Sequence, residues 1–219
     1  MFTEHGPATR EAWRRALGIE EPRLLVNVKR LHPLAGQQCL LEAFAEICHG
    51  HRDVRLVICG EGPRRAHLEE HARTLHVADR VTFTGLVPNE KVAQYVAAAD
   101  LFVLPSLLEA LPTVAVEALA SGTPVLSADH PGGVELSAIF GSDVQVVPRE
   151  SVPALARALQ ESLAHPRRTG EQTRESIEQL FRPAAVLKAY DVVYAGALSG
   201  ASSPTRVPPQ SRRRRAAAR

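Results

Sequence analysis

The chain has 219 residues, of which 45% are hydrophobic and 5% aromatic, so it can bury one domain core rich in Ala, Leu and Val. The formal net charge is +2, but six arginines with no acidic neighbour follow residue 200, and the rest of the chain therefore sums to −4. No apolar run approaches ~20 residues and the first ten residues lack an apolar segment, which argues against a transmembrane helix and a signal peptide.

Short apolar runs alternate with helical patterns along the chain. The first helical pattern, EAWRRALGI, ends near Gly18, and three more near 151–164, 171–180 and 183–197 close the ordered part. The runs between them are apolar almost throughout, as in strands that are covered on both faces of a parallel sheet. In chain order they read RLLVNV, VRLVICG, VTFTG, LFVLP, PVLSA and VQVV. This alternation predicts an α/β fold, a Rossmann-like doubly wound parallel sheet of about six strands with C-terminal helices.

Ligands of a doubly wound sheet bind beyond the carboxyl ends of its strands. Arg30, Gly60 to Gly62, Gly85, Glu109 and the segment 129–133 all follow predicted strands. The triplet GEG is not GxGxxG and no P-loop lysine pattern follows it, so neither a nicotinamide dehydrogenase nor a P-loop NTPase is favoured. Paired histidines such as His67 and His71 lack cysteine or acidic partners at ligand spacing, and no metal site is expected.

Two glutamates stand in the stretch EALPTVAVEALASGTPV. Glu117 lies among Val, Ala and Leu on a predicted helix, where an unpaired carboxylate costs several kcal/mol, and no nearby basic residue in this stretch can pair with it. A ribose, with two vicinal hydroxyl donors, would satisfy it. Glu109 precedes the same helix, whose N-terminus carries free N–H groups and a positive dipole suited to a phosphate. Together these features predict a site for sugar, phosphate and ribose.

The chain resembles the C-terminal, donor-binding half of family 4 retaining glycosyltransferases of the GT-B fold, from about residue 24 to 159. The stretch PSLLEALPTVAVEALASGTPVLSADHPGGVE is similar to the family pattern PSxxEGxPxxxxEAmAxGxPVvaxxxGGxxE. Four further blocks support the resemblance in the same order: VNVKRL…AG, RLVICGEGP, RVTFTGLV and YVAAADLFVLPS.

The resemblance implies roles for individual residues. Arg30 and Glu109 would be catalytic, Arg30 at the diphosphate and Glu109 at the transferred sugar, and Glu117 would bind the ribose hydroxyls. Such enzymes generally need no metal or other cofactor, because positive side chains and a helix dipole stabilise the departing diphosphate. The other donor-binding residues implied are Gly60, Gly62, Gly85, Leu86, Val87, Leu111, Pro112 and Thr113.

The chain departs from the family pattern G-R-L-x-x-x-K-G at position 35, where Ala35 stands in place of the lysine that gives the family a second cation for the diphosphate. Lys29 lies beside Arg30, but adjacent residues of an extended segment point in opposite directions, so we expect Lys29 not to compensate. The chain also begins about twenty residues before the first predicted strand. We therefore expect the N-terminal acceptor domain to be absent from this chain, and the isolated chain to bind a sugar nucleotide without transferring the sugar.

The leading hypothesis is a hexosyltransferase donor domain that binds a nucleoside diphosphate sugar for retaining transfer to a glycan, lipid or other acceptor, which a separate subunit would help to bind. The alternative is a non-catalytic or truncated sugar-nucleotide-binding or interaction module. A nucleic-acid partner is not expected. Neither the nucleotide, the sugar nor the acceptor follows from the sequence.

We predict an N-terminal linker and helix at 1–22, the sugar-nucleotide-binding domain at 23–165, C-terminal helices at 166–198 and a disordered basic tail at 199–219. The tail is either a solvated end or a weak contact with an anionic membrane, which would place the protein peripherally at the inner face of the membrane.

Three cysteines without a CxxC pair, Cys39, Cys48 and Cys59, indicate reduced thiols and a cytoplasmic location.

Overall fold

A computed structural model of the chain describes residues 7–50 and 53–198. The predicted basic tail at 199–219 and the start of the predicted N-terminal linker lie outside the described residues. The chain divides into two compact units, the first ending at Ile177 and the second beginning at Glu178.

Six strands alternate with helices, as the sequence predicts. The strands are β1 Arg23–Val28, β2 Val54–Cys59, β3 Val81–Gly85, β4 Leu101–Leu104, β5 Val125–Ala128 and β6 Val144–Val147. The helices are α1 Pro7–Ala16, α2 Gln37–Cys48, α3 Arg65–Thr74, α4 Asn89–Ala98, α5 Thr113–Ala120, α6 Pro131–Phe140, α7 Val152–Ala164, α8 Glu171–Leu180 and α9 Pro183–Leu198.

The six strands form one parallel sheet in the order β3-β2-β1-β4-β5-β6. The chain first builds outward from β1 to β3 and then returns to the other side of β1 with β4, whose residue Leu101 pairs with Leu25. The strand order therefore reverses between β1 and β4, and the loops that follow these two strands diverge there. This order confirms the predicted doubly wound sheet and marks the position where such sheets bind ligands.

The core lies on both faces of the sheet. All four residues of β4 and of β5 are buried, as are the four middle residues of β1. Helices α2 and α7 pack together on one face, where Phe44 and Leu159 are fully buried. Burial on both faces explains why the strands read as continuous apolar runs rather than as alternating patterns.

The amino edge of the sheet holds α1 through ion pairs. Asp100, just before β4, accepts hydrogen bonds from the Arg14 guanidinium at 2.8 Å, from Arg10 at 3.2 Å and from the Leu24 backbone N–H at 2.8 Å. Arg168 donates to the Ala99 carbonyl at 2.9 Å and to the Ser121 carbonyl, so its guanidinium joins the chain just beyond α4 to the end of α5. The carboxylate of Asp100 thus has three protein donors at this edge.

Within residues 7–50 and 53–198, no helix is both long enough and apolar enough to cross a bilayer.

Candidate functional site

A cleft of about 660 Å³ opens at the carboxyl ends of β1 and β2. Its walls come from the loops after β1, β2 and β3 and from the first turns of α4 and α5. A cavity of about 450 Å³ lies instead where β4, β5 and β6 begin, an edge at which doubly wound sheets do not usually bind ligands. The residues that line the first cleft are Val28, Lys29, Arg30, Cys59, Gly60, Glu61, Gly62, Leu86, Val87, Asn89, Val92 and Val114.

Two glycines allow the loop after β2 to lie directly against the loop after β1. A Cβ atom at Gly60 would lie 2.2 Å from the Lys29 carbonyl oxygen, and one at Gly62 would lie 2.3 Å from the Leu31 carbonyl oxygen. Gly60 also has φ 140°, a conformation that side chains disfavour, and its N–H donates to the Gly85 carbonyl at 2.9 Å. The GEG triplet therefore shapes the wall of the cleft through its backbone.

Lys29 and Arg30 both line the cleft, although they are adjacent in the chain, and the Lys29 ammonium group pairs with Glu109. Strand β1 ends at Val28 and the chain bends at Lys29, although the Lys29 N–H still donates to the Cys59 carbonyl at 3.0 Å. Side-chain alternation applies only while the backbone stays extended, and the bend ends it. Two cationic residues of one turn thus line the cleft.

Glu109 lies in the loop between β4 and α5, with a side chain that is 13% exposed, and pairs with the Lys29 ammonium group. Partial burial lowers the pKa of Lys29 below its usual value. The loop is held against α6, where the Gly132 N–H donates to the Glu109 carbonyl at 3.0 Å. The ion pair between Lys29 and Glu109 therefore bridges the two loops that diverge from β1 and β4.

Helix α5 begins beside this ion pair without a side-chain cap. Pro112 is the capping residue and offers no side-chain hydrogen bond, and it is buried between the exposed residues Leu111 and Thr113. Val114, in the first turn, reaches the cleft wall. The N-terminal dipole of α5 is thus directed toward the region where Lys29, Glu109 and the cleft meet.

Glu117 lies one turn further along α5, half-buried between the buried residues Val116 and Ala118. No described side chain makes a hydrogen bond or an ion pair with its carboxylate. Burial raises the pKa of Glu117, because desolvation disfavours its charged form. A carboxylate in this setting is suited to accept hydrogen bonds from a molecule other than the protein.

The N-terminus of α6 is satisfied by the chain itself. His130 is fully buried, and its Nδ1 accepts a hydrogen bond from the Gly133 N–H at 2.9 Å, while its Nε2 lies 3.2 Å from the Ser127 hydroxyl. Burial lowers the pKa of His130, which favours the neutral ring that this accepting role requires. The segment 129–133 therefore supports the neighbouring Glu109 loop and does not line the cleft.

The predicted site residues separate into two groups. Arg30, Gly60, Gly62, Leu86 and Val87 line the cleft. The others lie next to it: Gly85 behind Gly60, and Glu109, Leu111, Pro112, Thr113 and Glu117 along the loop and helix that begin after β4.

Sequence reasoning missed Lys29, Glu61, Asn89, Val92 and Val114 as lining residues. Asn89 and Val92 belong to the first turn of α4, and the predicted helix after β3 already indicated that this turn would face the carboxyl edge. Glu61 pairs with Arg65, and Arg65 in turn donates to the Phe83 carbonyl at 3.1 Å. The second contact joins two separate elements, so the sequence alone did not indicate it. In the described parts of the chain, no three His, Cys, Asp or Glu side chains come together in a way that could hold a metal ion.

Comparison with known proteins agrees with this architecture. The sequence profile of the family described as "Glycosyl transferases group 1" matches residues 9–179. A glycosyltransferase assigned to teichuronic acid biosynthesis in Bacillus subtilis (strain 168) is 36% identical over 188 residues, which cover 85% of this chain and 42% of that protein. The GDP-mannose-dependent alpha-(1-6)-phosphatidylinositol monomannoside mannosyltransferase of Mycolicibacterium smegmatis is 34% identical over 169 residues, covering 74% of this chain and 44% of that protein.

Among solved structures, sucrose-phosphate synthase from Thermosynechococcus elongatus superposes with a TM-score of 0.76 at 29% identity, covering 91% of this chain and 50% of that one. The chain therefore spans half or less of the length of these three proteins. The family match covers most of the chain, two relatives exceed 30% identity, and the sheet has the expected strand order. On these grounds the chain belongs to the group 1 family of glycosyl transferases, and its Rossmann-like sheet is similar to that of GT-B glycosyltransferases.

Proposed function

We propose that this chain binds a nucleoside diphosphate sugar at the carboxyl edge of its sheet and provides the donor side of a retaining hexosyltransferase. The observation that carries the proposal is Glu117, a half-buried carboxylate without a partner among the described residues, one turn beyond the cleft-lining Val114. Vicinal ribose hydroxyls would give this carboxylate the two donors that the protein does not.

The remaining parts of the nucleotide have chemically matched positions around Glu117. Leu86 and Val87 offer apolar surface to a base, and Arg30 with the uncapped N-terminus of α5 offers positive potential to a diphosphate. Glu109, in the loop before α5, is positioned for the hydroxyls of the transferred sugar. The name of the mannosyltransferase relative, which states a dependence on GDP-mannose, supports this class of donor.

Transfer would break the bond between the anomeric carbon of the sugar and the diphosphate oxygen, and an acceptor hydroxyl would attack from the same face. The cationic side chains and the α5 dipole would stabilise the negative charge that develops on the diphosphate, so this proposal requires no metal ion. The chain spans half or less of the length of these relatives. We therefore propose neither an acceptor nor acceptor-binding residues.

The proposal is tested by titration calorimetry of the purified chain with UDP, GDP and ADP. Glu117→Ala is expected to weaken binding of the preferred nucleotide by about 1 to 3 kcal/mol, the value of hydrogen bonds to a charged acceptor. Glu175→Ala serves as the matched control, because Glu175 is an exposed glutamate of α8 that does not line the cleft. The nucleotide affinity of this variant should equal that of the wild type.

Unchanged nucleotide affinity in Glu117→Ala would remove the ribose role of this residue. A wild-type chain that binds none of the three nucleotides would overturn the proposed donor site as a whole.

A further inference from the structure

The ion pair between Lys29 and Glu109 lies at the point where the strand order of the sheet reverses. Lys29 follows β1 and Glu109 follows β4, and these neighbouring strands are the two from which the chain winds in opposite directions. The pair therefore stands at the position that ligands occupy in doubly wound sheets. An interaction made only for stability would be equally effective at the amino edge, where Asp100 pairs with Arg10 and Arg14.

The two members of the pair differ in how far the protein satisfies them. The Glu109 side chain is 13% exposed, whereas that of Lys29 is 34% exposed and lines the open cleft. An ammonium group has three donors, and the structure shows one side-chain acceptor for Lys29 among the described residues, the Glu109 carboxylate. Lys29 can thus take a second anionic partner from the cleft side without a change in the backbone.

Apart from Arg30, the turn after β1 holds no second lysine or arginine beside Lys29. Position 35, the end of a short turn that leads to α2, holds an alanine that is 2% exposed, and Gly36 beside it lies against the Pro105 carbonyl. Arg30 is the remaining cation of this turn, and its side chain is exposed at the cleft. A ligand with two phosphates has more negative charge than one guanidinium neutralises.

We propose that Lys29 makes the cleft selective for a diphosphate, by moving its ammonium group from Glu109 to the distal phosphate when the ligand binds. This inference rests on the proposed donor site and adds a residue and a step to it. Once Lys29 has moved, the Glu109 carboxylate is free to accept hydrogen bonds from the sugar attached to that phosphate. The exchange couples recognition of the diphosphate to release of the sugar-binding carboxylate.

The experiment compares a nucleoside diphosphate with its monophosphate, UDP with UMP or GDP with GMP, by calorimetry at low ionic strength. Lys29→Met keeps the apolar stem and removes the charge. It is expected to lower diphosphate affinity about tenfold or more and to leave monophosphate affinity within about twofold, since a charge-assisted bond to one phosphate is lost. Lys29→Arg should retain the selectivity. Lys188→Met, at an exposed lysine of α9 that does not line the cleft, is the control and should bind both ligands as the wild type does.

Glu109→Gln tests the same pair from the other side. It removes the competing partner of Lys29, so diphosphate affinity should rise, by about threefold. A purely structural pair predicts instead that Lys29→Met and Glu109→Gln lower the melting temperature alike and change affinity in the same direction. Because the two variants are expected to have opposite effects on binding, the inference stays testable if one of them fails to fold.

Equal loss of diphosphate and monophosphate affinity in Lys29→Met, or no loss, overturns the role of Lys29 and leaves the donor site standing. Lower diphosphate affinity in Glu109→Gln overturns the exchange of partners. A wild-type chain that binds no nucleotide overturns both this inference and the proposed function.

Discussion

Two partly buried carboxylates of this chain, Asp100 and Glu117, differ in whether the protein supplies their hydrogen-bond donors. Asp100 is 11% exposed and accepts hydrogen bonds from Arg10, Arg14 and the Leu24 N–H. Glu117 is half-buried, and no described side chain bonds to it. The first lies at the amino edge of the sheet and the second on the helix that begins at the carboxyl edge.

The difference separates structural from functional burial of charge. A carboxylate that the chain itself surrounds with donors contributes to folding, as Asp143 also does through Arg167, the Gly170 N–H and the Thr173 hydroxyl. A carboxylate without such donors makes folding less favourable, and it is retained where a ligand can supply the donors. Glu117 meets that description, and its position agrees with the proposed site.

The largest expected effect is on stability and concerns Asp100, the carboxylate whose donors come from the protein. Asp100→Ala removes the acceptor for two guanidinium groups and one buried N–H, and it should lower the free energy of unfolding by about 2 to 4 kcal/mol. Urea denaturation followed by circular dichroism measures this change. Asp100→Asn, which retains one acceptor oxygen, should lose less, and nucleotide affinity should be unchanged in both variants wherever they remain folded. Stability equal to that of the wild type in Asp100→Ala would remove the contrast with Glu117.

The second effect, at Glu117, is smaller and of opposite sign. Burial raises the pKa of Glu117 above its ordinary value of 4.5, so the folded chain holds this proton more tightly than the unfolded chain does. The resulting stabilisation is complete below pH 4.5 and is lost as the pH rises through the raised pKa. Above that value Glu117→Gln should exceed the wild type in stability by roughly 1 kcal/mol, because no charge is desolvated.

Urea denaturation of both proteins from pH 4 to pH 8 measures this difference, which should grow with pH from the acidic end. The ribose role requires the ionised carboxylate, so nucleotide affinity of the wild type should fall over the same acidic interval, while that of Glu117→Gln should be low and nearly independent of pH there. A stability difference that does not change with pH would mean that Glu117 is not desolvated in the folded chain.

The smallest effect sharpens the comparison by separating burial from pairing. Asp129 and Arg149 form an ion pair of 2.9 Å with both side chains more than 40% exposed. Asp129→Ala should therefore cost less than about 1 kcal/mol, against the larger loss in Asp100→Ala. Thermal melting of the two variants in one buffer provides the test, and a loss at Asp129 as large as that at Asp100 would show that pairing alone, without burial, explains the effect at Asp100.

Much of the architecture could be predicted from the sequence. Apolar runs such as RLLVNV and LFVL became strands because their residues suit burial on both sheet faces, and Gly122 follows the end of α5 with φ 80°, as a helix-ending glycine does. The carboxyl-edge location of Arg30 and the GEG triplet followed from their places directly after strands. The strand order itself, with β1 between β2 and β4, was not specified by any local pattern.

The sequence by itself determined the helices and strands, the polar residues that follow each strand and the unusual carboxylate at Glu117. These features depend on periodicity and on neighbours along the chain. Only the tertiary structure decided which of those residues meet. The bend at Lys29 made this residue part of the cleft wall, and the reversal between β1 and β4 placed it against Glu109, 80 residues away. Such contacts depend on where separate loops diverge in space, which no local sequence pattern encodes.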